Sequence, residues 1–140
     1  MNTLKGVLIV DDEDIIVKGL QYLISANFRD YIIKGASSLK ELDQSLIANE
    51  YTHLILDLNL KDGNSIDILP RLTIQYPDLS ILIHSMVSDK ETIDKLMQFK
   101  IAGFLNKRSG EKEVLNTLQN FLNKGCRDSN TPEEKKTNYF

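Results

Sequence analysis

Five polar side chains stand at or just past the ends of short apolar runs, and together they could carry out phosphoryl chemistry. Asp11 and Asp12 follow the first run, and Asp57 lies in the most apolar one. Ser85 and Lys107 follow two later runs. A carboxylate can accept a phosphoryl group as a nucleophile, while a hydroxyl and an ammonium can neutralise the oxygens of that group. Asp57 is the best-placed nucleophile, because a buried strand would deliver it.

The three aspartates also predict a metal site. If Asp11, Asp12 and Asp57 lie together they repel one another, and none of them has a lysine or arginine beside it in the sequence. A hard divalent cation resolves that repulsion. Mg²⁺ prefers oxygen ligands and is typically held by one or two carboxylates together with a phosphate oxygen. The expected cofactor is therefore Mg²⁺.

The apolar runs predict five strands that alternate with helices. The runs are Gly6–Val10, Tyr31–Lys34, the stretch from His53 to Leu60 that delivers Asp57, Leu79–His84, and Phe104–Asn106. Alternation of this kind predicts the α/β class with a doubly wound parallel sheet and helices on both faces. The expected strand order, 2-1-3-4-5, is flavodoxin-like. It places the first and third strands side by side, so that their aspartates meet where the winding reverses.

Local signals mark the ends of several helices. Ser37 or Ser38 can cap the second helix, and Ser88 or Asp89 can open the fourth. Pro70 falls inside the third helix or at a break in it. Gly103 is expected to be a break before the last strand, and Pro77 ends the third helical segment.

Composition sets the broad class of the protein. The chain has 140 residues, which suits one domain, and a formal net charge of −3 gives no sign of a nucleic-acid or membrane partner. The single cysteine, Cys126, excludes an internal disulfide, and no signal peptide or spanning stretch is present, so a cytoplasmic location is expected. Residues 1–124 form the predicted domain. Residues 125–140 are expected to be a polar linker or tail that leads to a C-terminal domain beyond Phe140.

The ordered set of side chains resembles the receiver domain of two-component response regulators over about residues 4 to 124. Its members are Asp11 and Asp12 after the first strand, Asp57 after the third, Gly63 in the following turn, Ser85 after the fourth, and Phe104 and Lys107 at the fifth. The resemblance implies that Asp57 is the phosphoacceptor. It implies that Asp12, Asp57 and the backbone carbonyl of Asn59 ligate Mg²⁺, with Asp11 acting through water. Ser85 and Lys107 would bind the phosphoryl oxygens.

The resemblance also implies a switch and its partners. Ser85 would move inward on phosphorylation and Phe104 would follow, changing the face formed by the fourth helix, fifth strand and fifth helix. That face is also the expected surface of a homodimer. The donor would be a phosphohistidine on a sensor histidine kinase or a phosphotransfer protein. Such a chain is not an enzyme in the ordinary sense, since it catalyses only its own phosphorylation and dephosphorylation.

Three positions depart from the common family pattern. Lys61 stands where many members have proline, which predicts a looser loop after Asp57. Met86 follows the switch serine where a small residue is usual, and its thioether is expected to restrict the approach of water or donor. Arg108, Ser109 and Gly110 follow the lysine, which resembles the LuxR-type transcription-factor class. Control of transcription through a DNA-binding domain absent from this segment is therefore expected, with no nucleic-acid binding by the segment itself.

Other functions are left open by the residues. The chain could be a stand-alone phosphorelay receiver, or a degenerate receiver that only binds proteins. A flavin-binding protein of the same topology is disfavoured because the acidic run from Asp11 to Asp14 would repel a cofactor phosphate. A hydrolase with an aspartyl-phosphate intermediate is disfavoured because Asn59 stands where such chains carry a second aspartate. His53 and His84 have no partner at metal-ligand spacing and are expected to be structural.

Overall fold

A computed structural model of the chain describes residues 5–86 and 89–124. The strands of its main sheet are β1 (Lys5–Val10), β2 (Tyr31–Ala36), β3 (His53–Leu56), β4 (Ser80–Ser85) and β5 (Gly103–Asn106). The helices are α1 (Asp14–Asn27), α2 (Leu39–Ala48), α3 (Leu69–Gln75), α4 (Lys90–Leu96) and α5 (Glu111–Lys124). Strands and helices alternate along the chain, as the sequence predicts.

The main sheet has the order β2-β1-β3-β4-β5, and all of its strand pairs are parallel. The predicted order is therefore confirmed. β1 lies between β2 and β3, with Val10 in register with Leu56. Crossovers run to both sides of β1, so the carboxyl ends of β1 and β3 flank the point where the winding reverses.

Two apolar cores cover the two faces of the sheet, because alternate residues of each strand point to opposite faces. On one face the strands pack against α2, α3 and α4 through Leu8, Val10, Leu54, Leu56, Ile81, Ile83, Leu42, Leu46, Leu69, Leu72 and Leu96. On the other face they pack against α1 and α5 through Val7, Ile9, Ile55, Leu82, Leu105, Val17, Leu20, Ile24, Leu118, Phe121 and Leu122. Helices thus lie on both faces, as predicted.

Side-chain caps fix the starts of two helices. Ser38 is the N-cap of α2 and accepts a hydrogen bond from the Glu41 amide at 3.1 Å. Asp89 is the N-cap of α4 and accepts one from the Thr92 amide at 2.9 Å. Each cap is one of the two candidates predicted for that helix, while Ser88 lies outside the described residues. A cap of this kind satisfies one of the amide donors that the first helical turn leaves unpaired.

The apolar run after His53 does not form one continuous strand. β3 ends at Leu56, and Asn59–Leu60 instead pairs antiparallel with Gly63–Asn64 in a separate two-stranded ribbon. Gly63 adopts a φ of 151°, a conformation that side chains disfavour, and a Cβ there would lie 2.9 Å from Leu39 Cδ1. The ribbon turns the chain back directly after Asp57.

Two smaller expectations need refinement. A 3₁₀ turn, Ser65–Ile68, precedes α3, so Pro70 lies in the first turn of α3, where its missing amide costs no helical hydrogen bond. Gly103 is not a break: it is the first residue of β5 and pairs in register with Leu82. A short strand can begin on glycine when the neighbouring strand supplies the hydrogen bonds.

Among the described residues, no helix has the length and hydropathy needed to cross a bilayer.

His53 lies buried at the start of β3 and ties the sheet to α5. Its ring makes edge-on contacts with Tyr31, at a centroid distance of 5.9 Å, and with Phe121, at 4.9 Å. The Tyr31 hydroxyl donates a hydrogen bond to the Leu122 carbonyl at 3.1 Å. Burial, aided by the charge of Lys5, lowers the pKa of His53 to about 4. His53 is therefore a neutral packing residue at physiological pH.

We expect both histidines to make folding stability depend on acid pH. Burial, together with the nearby charge of Lys107, lowers the pKa of His84 to about 4 as well. Unfolded histidine has a pKa of about 6.5, so between about pH 6.5 and pH 4 the unfolded state binds more protons than the folded state. As the pH is lowered through that window, the free energy of unfolding should fall by roughly 3 kcal/mol for each histidine.

Because the chain contains two histidines, NMR can follow each ring through its own signal. We expect neither ring to titrate above about pH 5, and the variant His53→Gln to lose part of the pH dependence of urea unfolding. A ring that titrates near pH 6.5 in the folded protein would contradict its buried, neutral role.

Candidate functional site

Backbone hydrogen bonds bring the predicted site residues to one edge of the sheet. The Asp57 amide donates to the last carbonyl of β1 at 3.0 Å, and the Asp11 amide donates to the last carbonyl of β2 at 3.1 Å. The Lys107 amide donates to the Ser85 carbonyl, at the end of β4, at 2.9 Å. These bonds extend the ladders one residue past the strands. The side chains that follow β1, β3 and β5 therefore start from fixed, neighbouring backbone positions.

A buried ion pair forms the centre of the site. Lys107 Nζ lies 2.7 Å from Asp11 Oδ2 and 3.1 Å from Asp57 Oδ2. The three side chains are only 9%, 2% and 8% exposed, in the order Lys107, Asp11, Asp57. The charges therefore attract more strongly than they would in water. Glu13 Oε1 lies 3.9 Å from the same ammonium, on the solvent side.

The pKa values of the site follow from this arrangement. Burial raises the pKa of Asp57, the hydrogen bond and charge of Lys107 oppose that rise, and the charge of Asp11 adds to it. Burial alone would lower the pKa of Lys107. The carboxylates of Asp11 and Asp57 outweigh burial and hold the pKa of Lys107 above its usual value. Lys107 is therefore an ammonium at neutral pH.

The third aspartate completes a set of donors that suits a hard cation. One carboxylate oxygen from each of Asp11, Asp12 and Asp57 lies within 4.8 Å of the others, with Asp12 exposed and the other two buried. Three carboxylates and one ammonium give the cluster a formal charge of −3 + 1 = −2. The excess negative charge and the all-oxygen donors are consistent with Mg²⁺ binding. Asn59, two residues past Asp57, is the first residue of the short ribbon.

The remaining predicted residues lie at the same end of β4 and β5, or just beneath it. Ser85 is buried at the end of β4 and in register with Asn106, which directly precedes Lys107. Phe104 is buried in the core under α2, α3 and α4, in register with Ile83. Phe104 is thus part of the core and is connected to the site through its own strand.

Two further residues shape the loop after Asp57 and were not singled out by the sequence analysis. The Asp62 carboxylate accepts hydrogen bonds from the Leu39 amide at 2.8 Å and the Lys40 amide at 3.1 Å, which anchors the loop to the start of α2. The Ser65 hydroxyl donates to the backbone carbonyl of Asp57 at 2.6 Å. Asp62 carried a turn signal before a glycine, whereas nothing in the local pattern marked Ser65.

Comparison with known proteins identifies the family. The family model described as "Response regulator receiver domain" matches residues 7–119. The chain belongs to this family. The match includes β2, β3, β4 and β5 in full and β1 from Val7 onward.

Curated relatives share the receiver region but are longer. The chain is 32% identical over 92 residues to the DNA-binding transcriptional activator DevR/DosR of Mycobacterium tuberculosis, covering 65% of this chain and 42% of the relative. It is 25% identical over 114 residues to the photosynthetic apparatus regulatory protein RegA of Cereibacter sphaeroides, covering 81% of this chain and 61% of the relative. The chain thus spans less than two thirds of the length of either relative.

Solved receiver domains share the fold. The isolated receiver domain of RcsB from Salmonella enterica serovar Typhimurium, studied with the phosphomimetic BeF3-, superposes with a TM-score of 0.78 at 18% identity, covering 96% of this chain and 99% of that domain. The non-phosphorylated HemR receiver domain from Leptospira biflexa gives a TM-score of 0.79 at 21% identity, covering 89% of this chain and 99% of that domain. At these identities the similarity supports the fold of this receiver domain.

We expect Lys107→Met to destabilise the metal-free protein at neutral pH. Lys107 has a raised pKa, so its contribution to stability is fully present at neutral pH and is lost only at strongly alkaline pH. Its removal leaves two buried carboxylates without a counter-charge. The free energy of unfolding should fall by about 2 kcal/mol, less than for a fully enclosed ion pair, because this end of the sheet borders solvent. Urea unfolding in the presence of a chelator measures the loss.

Lys90→Met is the matched control for this prediction. It removes the exposed ion pair of Lys90 with Asp94, whose atoms lie 3.0 Å apart, and should have little effect. Equal stability of the Lys107 and Lys90 variants would show that the central ion pair contributes nothing.

Proposed function

We propose that this receiver domain is a phosphorylation-dependent switch in which Asp57 accepts a phosphoryl group from a phosphohistidine. The observation that carries the proposal is the position of the Lys107 ammonium, in contact with both Asp57 and Asp11 inside a three-carboxylate cluster. A lysine that merely served solubility would extend into water rather than pair with two buried carboxylates. The donor would be a sensor histidine kinase or a phosphotransfer protein.

In the transfer step, the site supplies the nucleophile and the partner protein supplies the phosphoryl group. A carboxylate oxygen of Asp57 attacks phosphorus as the P–N bond to the donor imidazole breaks, and the bonding electrons return to that imidazole, which then takes a proton. The product is an acyl phosphate on Asp57. Dephosphorylation is a separate step: water attacks the acyl phosphate at phosphorus, the bond between phosphorus and the Asp57 oxygen breaks, and the products are the free carboxylate and inorganic phosphate.

Two side chains would neutralise the new phosphoryl oxygens. Lys107 already contacts an Asp57 oxygen, so a small shift of its ammonium would reach an oxygen of the attached group. Ser85 precedes the loop that follows β4, and its carbonyl holds the Lys107 amide. A phosphoryl group that drew in the Ser85 hydroxyl would therefore act on the ends of β4 and β5 together.

Mg²⁺ would be held by Asp12, Asp57 and the Asn59 carbonyl, with Asp11 acting through water. When bound, Mg²⁺ would supply positive charge for the phosphoryl oxygens. The proposal is supported by the residual −2 charge of the cluster and by the exposure of Asp12, which leaves a route from solvent.

The output would be read on the face formed by α4, β5 and α5. Phe104 is the proposed link, since it is buried in β5 three residues before Lys107. A change in its packing would alter this face and any homodimer that forms through it. Residues 1–124 would form the switch and residues 125–140 a linker to an effector domain. The similarity to a DNA-binding transcriptional activator supports a transcriptional output, and the location we propose is the cytoplasm.

We expect Asp57 to be the residue that takes up phosphate. Incubation with a small phosphodonor and Mg²⁺ should add the mass of one phosphoryl group to the intact protein, and Asp57→Asn should abolish the gain because an amide cannot act as the nucleophile. Asp43→Asn is the matched control, since Asp43 pairs with Arg71 on the surface between α2 and α3. An unchanged mass gain in Asp57→Asn would refute the proposal.

We also expect Mg²⁺ to stabilise the fold through this cluster. A ligand that binds only the folded state raises the free energy of unfolding by RT ln(1 + [L]/Kd), which is about 1.4 kcal/mol at a concentration ten times Kd. Thermal melts with and without Mg²⁺ should show an upward shift for wild type and for Asp43→Asn. Asp12→Asn should lose most of the shift. If Asp12→Asn kept the full shift, the metal would bind elsewhere.

A further inference from the structure

We propose that Ser65 is a positioning residue that holds the phosphoacceptor Asp57 in its reactive orientation through a backbone hydrogen bond. The inference rests on the proposed function, because it assigns Ser65 a role in the reaction of Asp57. It concerns a residue that follows the site in sequence and is separated from it by the ribbon of Asn59–Leu60 and Gly63–Asn64.

Ser65 closes the loop after Asp57 with two hydrogen bonds to successive carbonyls. Its hydroxyl donates to the Asp57 carbonyl at 2.6 Å, and its amide donates to the Leu58 carbonyl at 2.8 Å. The Ser65 residue is 0% exposed, so bulk water does not compete for either bond. A hydroxyl bond that is short and shielded from solvent is a strong constraint on the group that accepts it.

The bond completes the fixation of Asp57. The Asp57 amide is held by the last carbonyl of β1 at 3.0 Å, and the Asp57 carbonyl is held by Ser65. With both backbone polar groups bound, the direction of the Cα–Cβ bond is set, and with it the starting point of the carboxylate. Reactions that depend on in-line attack are sensitive to small errors in such positions.

The hydroxyl of Ser65 is not needed to start the helix that follows. Asn64 is the N-cap of the 3₁₀ turn, and its side-chain oxygen accepts a hydrogen bond from the Ile66 amide at 2.8 Å. The Asp62 carboxylate separately anchors the middle of the loop to α2. With capping and anchoring assigned to these two residues, the partner of the Ser65 hydroxyl within residues 5–86 and 89–124 is the carbonyl of Asp57.

The inference predicts which properties Ser65→Ala changes. The alanine side chain fits the same space but leaves the buried Asp57 carbonyl without its donor. We expect the maximal phosphorylation rate, at saturating Mg²⁺ and phosphodonor, to fall about tenfold. The Asn59 carbonyl lies on the same loop, so the Mg²⁺ concentration that half-saturates the reaction should also rise.

Ser38→Ala is the matched control. Ser38 is also a buried serine whose hydroxyl bonds to backbone at the start of a helix, but it accepts from Glu41 and has no bond to Asp57. Both variants lose one such bond, and Ser38→Ala should keep the wild-type maximal rate. A Ser65→Cys variant keeps a side-chain donor, although a weaker one on a somewhat larger side chain, so it should give an intermediate rate and serves in place of alanine if the alanine variant does not fold.

A spectroscopic measurement separates this inference from the proposed function. The carbonyl ¹³C shift of Asp57 reports its hydrogen bond without any phosphorylation, and it should change in Ser65→Ala but not in Ser38→Ala. If wild type takes up no phosphate, the proposed function fails, whatever the shift shows. If wild type is phosphorylated and Ser65→Ala reacts at the wild-type rate, or slows only as much as Ser38→Ala, the positioning role of Ser65 is overturned.

Discussion

The ammonium of Lys107, held between two buried carboxylates, is the interaction on which the site depends. Its contacts of 2.7 Å with Asp11 and 3.1 Å with Asp57 join side chains that follow three different strands. Like-charged carboxylates at this distance would repel each other without the lysine. The ion pair therefore allows two acidic side chains to lie together, buried at the carboxyl ends of the strands. The third aspartate leaves the cluster with a net negative charge, which favours the binding of a metal cation.

The sheet supplies the constraint that the ion pair needs. Because β1 lies beside β3, and β4 links β3 to β5, residues that follow these strands share one edge. Two apolar cores pack against the two faces of the sheet and support the backbone beneath the site. The same architecture connects the site with the face of α4, β5 and α5, since Lys107 follows the strand that contains the buried Phe104.

The sequence predicts what depends on repeating patterns and misses what depends on single contacts. Strand order, helix placement and the meeting of Asp11, Asp12 and Asp57 follow from apolar periodicity and topology. The split of the apolar run after Leu56 does not, because leucines in a ribbon and in a strand look alike when both are buried. The bond from Ser65 to the Asp57 carbonyl is likewise hidden, since its acceptor is backbone and carries no signature.

The account is tested most directly by locating the phosphoryl group chemically. Borohydride reduces an acyl phosphate to an alcohol, so treatment of the freshly phosphorylated protein followed by peptide sequencing marks the acceptor carboxyl group. The account predicts homoserine at residue 57 and at no other position. Conversion at Asp11, Asp12 or Glu13 would contradict this prediction. A phosphoryl group that resists reduction would contradict it as well, because that is the behaviour of a phosphate ester on Ser85.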